Sequence, residues 1–149
     1  MTLIRYVQAS CFPGFMDEYE RCGRQVRLAR KARALTADLF LRFKEEVTLF
    51  DFSDALCIGP DTGAEAIAYL RMQGCIDCSS SISEAISVGE QLTVGLQELD
   101  LRWCCDIALR LIASELDIGP WQVSRWIAHE IKHLSSGIYV LHSTTTISY

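Results

Sequence analysis

Five residues, His129-Glu130-Ile131-Lys132-His133, spell HExxH. Residues four apart share a helix face, so two imidazoles can reach one Zn²⁺ while the glutamate activates the metal-bound water. A catalytic zinc also needs a third protein ligand. Only 16 residues follow His133, none of them Asp or Glu, and His142 is the sole downstream imidazole. Gly137 and His142 both miss the positions that the longer HExxHxxGxxH pattern requires. Lys132 sets a cation between the two ligands. The pair therefore reads as imidazoles on a polar helix face, with a small zinc metallohydrolase as the alternative; no metal and no cofactor is expected.

Seven cysteines are the other reactive groups: Cys11, Cys22, Cys57, Cys75, Cys78, Cys104 and Cys105. An odd count without a secretion signal argues against a disulfide framework. Free cysteine packs as a small apolar residue, and that is the reading adopted. Cys75-Ile-Asp-Cys78 is a lone CxxC, and the adjacent Cys104-Cys105 is not a second pair at zinc-finger spacing. No glycine-rich phosphate loop, nucleophile elbow or paired-carboxylate signature accompanies these residues. The chain reads as a binding protein, not an enzyme.

Charge narrows the partners. The 149 residues carry a net −5, with +3 over residues 1–50 and −8 over residues 51–149. A net negative chain disfavours general nucleic-acid binding. Arg21, Arg24, Arg27, Arg30 and Arg33 recur every third residue. On one helix they would make a slowly winding ridge, yet no aromatic residue interleaves with it as a base-stacking surface requires.

The elements that must position these groups are helical. Half of the residues are hydrophobic and 22% are charged, enough to bury one core in a single domain. No run of about twenty apolar residues is present, and there is no Asn to glycosylate. Periodicity predicts a helix over about 3–21, broken at Pro13-Gly14, and a long one over 24–50. The spacing Leu28, Ala32, Leu35, Leu39, Phe43, Val47, Phe50 draws one apolar face on the latter. Gly59-Pro60-Asp61 punctuates the chain before a helix over 64–72.

A stripe of Ile82, Ile86, Gly89, Leu92, Leu96, Leu99 and Trp103 predicts one regular helix. Residues 104–113 are apolar on every side, which places them at the centre of a globule. Gly119-Pro120 then turns the chain into a last helix over 121–141, and 143–149 reads as a loose tail. The expected fold is all-α, six or seven helices in a single domain over 1–149.

The entry to that central stretch carries a family resemblance. Leu92-Thr-Val-Gly-Leu-Gln-Glu98-Leu99-Asp-Leu-Arg102-Trp103-Cys-Cys-Asp-Ile-Ala-Leu-Arg-Leu-Ile112 resembles the stretch leading into the central helix of the Bcl-2 family of apoptosis regulators. Glu98-Leu99 and Trp103 match that pattern, while Arg102, Cys104 and Cys105 replace its Asn, Gly and Arg. The resemblance implies a compact virus-encoded anti-apoptotic protein of the host cytoplasm, peripheral at mitochondria, that captures pro-apoptotic BH-three helices. Its groove would have walls of Leu39, Phe43, Val47 and Phe50 and of Leu92, Leu96 and Leu99, a floor of Trp103 and Ile107, and Arg102 substituting for the family's ligand-pairing arginine. Alternatives are a Bcl-2-fold inhibitor of innate-immune signalling acting through other surfaces, and a homodimer formed through the groove or the thiols.

Overall fold

The structure, a computed structural model, describes residues 18–21, 23–92, 97–134 and 140–143. It opens on a hairpin where helix was expected. Strands β1 (Glu18–Arg21) and β2 (Arg24–Arg27) pair antiparallel, setting Glu18 opposite Arg27 and Tyr19 opposite Val26. Gly23 turns the chain at φ 71°, a conformation glycine adopts without steric cost. Backbone pairing across a glycine turn replaces the two short helices expected to meet at Gly23. The ridge of five arginines is thereby divided between strand and helix.

Helix α1 spans Arg30–Phe43, beginning after Ala29 in left-handed backbone at φ 48°. It buries Ala32, Thr36 and Ala37, and Thr36 Oγ1 donates to the carbonyl of Ala32 at 2.7 Å. Small residues on that face bring the backbone close to its neighbours. The helix stops well before Phe50. Glu45 and Glu46 would set two negative charges at its negative pole, and Val47-Thr48 are β-branched. Short 3-10 turns at Thr48–Phe50 and Ala55–Cys57 follow.

Helices α2 (Ala64–Met72) and α3 (Ser80–Ser87) end alike. After α2, the N–H of Cys75 bonds the carbonyl of Leu70 at 2.8 Å; after α3, that of Glu90 bonds Ala85 at 2.9 Å. Gly74 and Gly89 take the left-handed position between, at φ 71° and 74°. Both ends are Schellman motifs, and the second cuts the stripe expected to run from Ile82 to Trp103.

Helix α4 (Gln97–Leu116) and helix α5 (Pro120–His133) form the hairpin that Gly119-Pro120 predicts. The core lies where they meet α2 and α3: Ile67, Leu70, Ile86, Leu92, Cys105, Leu109 and Ile127 are buried together. A smaller cluster joins Ala37, Ala55, Ile58 and Trp121, with the Trp121 Nε1–H donating to the carbonyl of Ala55 at 2.9 Å.

The fold is all-α in class, with five α-helices among the described residues rather than six or seven. Helix α4 is not buried on every side. Leu99, Arg102, Cys105 and Leu109 face inward, while Trp103, Ile107 and Leu111 are 38, 47 and 62% exposed. Among the described residues, no helix is long and apolar enough to cross a membrane.

Candidate functional site

The turn Gly59-Pro60-Asp61-Thr62-Gly63 lies between α1 and α5, and Asp61 stands in the wall shared by two adjoining hollows of about 430 and 330 Å³. Pro60 and Thr62 are fully buried and anchor the turn. Its backbone is held from α5: the Asp61 N–H donates to Ser124 Oγ at 3.0 Å.

Two guanidinium groups of α1 lie against the same turn, close at Gly59 and less so at Gly63. A Cβ on Gly59 would sit 2.6 Å from Arg33 Cζ, and one on Gly63 would sit 3.3 Å from Arg30 Nη2. Arg33 Nη1 donates to Asp106 Oδ1 of α4 at 2.7 Å, and Arg110 Nε donates to Asp106 Oδ2 at 2.6 Å. One carboxylate thus gathers cations from two helices.

Asp61 itself is half committed. Its Oδ1 accepts from Arg30 Nε at 2.5 Å and from the Gly63 N–H at 3.1 Å. Among the described residues its Oδ2 accepts no hydrogen bond, and the side chain is 41% exposed. A carboxylate fixed through one oxygen and open at the other can accept a proton from a bound molecule, hydrogen-bond it, or face a positive charge. Around the larger hollow, Arg125 pairs with Asp38, and His129 and Lys132 complete the rim.

Behind the cleft, Arg102 is fully buried and its Nη2 lies 2.7 Å from Glu98 Oε1 one turn back on α4. His142 is buried too, and burial, reinforced by the Arg102 charge, lowers its pKa to about 4. Burial also pushes the Cys105 thiol up, and that of Cys78 against the pull of Arg71. Neither is a ready thiolate nucleophile.

The residues expected to line a groove do not come together. Leu39, Phe43 and Phe50 are half-buried and Val47 is exposed, with the Phe43 and Phe50 rings 5.6 Å apart. Leu92 and Leu99 are buried in the interior, and Leu96 lies outside the described residues. The row Glu98, Arg102, Cys105, Leu109 sets the inner face of α4, which turns Trp103 and Ile107 outward. The expected floor is solvent-facing.

The HExxH residues do meet as their spacing predicts: His129 Nε2 and His133 Nε2 are 3.4 Å apart on α5. Among the described residues no third metal-ligating side chain joins them. The sequence reading passed over Arg30, Arg33, Asp61 and Ser124 as site residues. Their signal in the sequence is the pair of glycines bracketing Pro-Asp-Thr, of which only Gly59 enters the punctuation Gly59-Pro60-Asp61.

A family model described as queuosine salvage protein matches residues 1–123. The chain belongs to the queuosine salvage protein family. The matched stretch holds Arg30, Arg33, Asp61, Glu98, Arg102 and Asp106; Ser124, Arg125, His129 and His133 follow it. No curated protein matches the chain.

Membership of the queuosine salvage family overturns the Bcl-2 resemblance and the viral anti-apoptotic function read from it. The BH-three partners, the innate-immune alternative and the zinc metallohydrolase go with them. That resemblance rested on Glu98-Leu99 and Trp103, whose pattern serves an amphipathic helix of any fold; here Trp103 faces outward.

Proposed function

We propose that the cleft beside Asp61 receives queuosine, or a nucleotide bearing it, so that its base can be recovered. The observation that carries the reading is Asp61, held at an open cleft by Arg30 and Gly63 through one oxygen while its Oδ2 accepts no hydrogen bond among the described residues. Queuosine is a 7-deazaguanosine with a basic amine on its side chain. A carboxylate suits that amine, and the cations Arg125 and Lys132 at the rim suit the polar sugar end. The family's description as a salvage protein agrees with a ligand of this class.

Recovering the base from the nucleoside breaks one bond. Water adds its hydroxyl to the ribose carbon as the glycosidic C–N bond opens, and the base leaves with a proton. Asp61 Oδ2 is placed to take the proton of that water, or to face the positive charge that develops on the sugar. Binding without cleavage would keep the chain a non-enzymatic carrier in the same pathway.

The test is to incubate the chain with queuosine and with its 5′-monophosphate, follow free queuine by chromatography, and measure binding by calorimetry in parallel. Release that disappears in Asp61→Asn with binding retained supports the hydrolytic reading. Binding without release reduces the proposal to a carrier. No binding of either compound overturns it.

A further inference from the structure

From the pairing of His129 with His133 on the last turns of α5, we infer a binding site for a borderline divalent cation such as Ni²⁺ or Zn²⁺. The geometry is that of a chelate. Two Zn–N bonds of about 2.0–2.1 Å at a tetrahedral angle hold the nitrogens about 3.3–3.4 Å apart. The two Nε2 atoms stand 3.4 Å apart with ring centroids at 4.6 Å, the separation that such a bite requires.

Three further features point the same way. Glu130 Oε1 lies 3.9 Å from His129 Nδ1, on the far side of the ring from His133. A carboxylate there favours the proton on Nδ1 and leaves Nε2 as the lone-pair donor, the arrangement that orients metal-bound histidines. Both imidazoles are exposed, so an incoming ion needs no opening of the core. His133 is the final residue of α5, where the helix presents the negative end of its dipole to a cation.

The charged neighbours are balanced. Lys132 lies on the same rim as His129, Arg125 is occupied by Asp38, and Glu130 offsets Lys132. Two protein donors leave the remaining positions to water, so this is a surface chelate and not a hydrolytic centre. Because His129 also lines the cleft of Asp61, the ion would sit at its mouth. Both histidines lie beyond the stretch matched by the salvage family, so the inference rests on their own geometry and not on the function proposed above.

The experiment is a Ni²⁺ titration of the whole chain followed by calorimetry at pH 7.5, with His129→Ala, His133→Ala and Glu130→Gln alongside. The wild type should bind one ion with a saturable isotherm. Loss of Glu130 should weaken binding by less than about tenfold, since a carboxylate 3.9 Å from the ring is removed, and loss of either histidine more than that. Circular dichroism checks that helix content is kept, with His133→Gln as the second variant should the helix end fray. Wild-type affinity retained in both histidine variants would assign the ion to other groups such as the thiols and overturn the inference, as would no saturable binding by the wild type.

Discussion

Arg33 on α1 donates to Asp106 on α4 at 2.7 Å across 73 residues of sequence, with both side chains 14% exposed. The bond ties the helix that carries the cleft's cations to the helix that carries the core. It also passes directly over Gly59, whose missing side chain makes room for the guanidinium.

Gly59→Ala should therefore act through Arg33. The new Cβ would lie 2.6 Å from Arg33 Cζ and push it from a partner that holds it nearly out of water. The expected loss is about 1–3 kcal/mol in urea unfolding, the range for overpacking. Gly63→Ala, at 3.3 Å from Arg30, should cost less. In an Arg33→Ala background most of the Gly59→Ala penalty should vanish, which a double-mutant cycle reads directly. An unchanged penalty would mean that Gly59 matters for its backbone alone.

Acid should loosen the fold through His142. Its pKa of about 4 in the folded chain lies below the ordinary 6.5, so the unfolded chain binds the proton first as pH falls. The stabilising difference is complete above about pH 6.5, shrinks on descent, and is gone below about pH 4, a total of order 3 kcal/mol. His142→Gln should flatten stability against pH over that window in equilibrium unfolding. The same slope in the variant would place the acid sensitivity in other groups.

Helix α4 offers a direct comparison of its two faces. Leu109→Ala should cost about 2–5 kcal/mol, since the side chain is fully buried in the main cluster and leaves a cavity. Trp103→Ala should cost under about 1 kcal/mol despite removing a larger side chain, because that ring is 38% exposed. Thermal denaturation of the two variants checks the order; equal losses would mean that Trp103 is packed.

Much of the fold was legible from local chemistry. Gly59-Pro60-Asp61 and Gly119-Pro120 mark breaks between helices, and the i, i+4 spacing of His129 and His133 places their rings together. These features act within one or two turns of the chain, where backbone geometry leaves few choices. Periodicity failed where competing structures share a pattern. The stretch from Ile82 to Trp103 keeps its spacing through a left-handed Gly89 that divides it, and Glu18–Arg27 forms a hairpin because Gly23 supplies the left-handed turn that folds the chain back on itself.

What the sequence determined by itself was an all-α chain with a helical hairpin at Gly119-Pro120, because turn chemistry and hydrophobic spacing are properties of adjacent residues. Only the tertiary structure decided which face of α4 is buried and that Asp61 meets Arg30 and Ser124. Those contacts join residues 31 and 63 positions apart, and no local spacing encodes a meeting set by how whole helices pack.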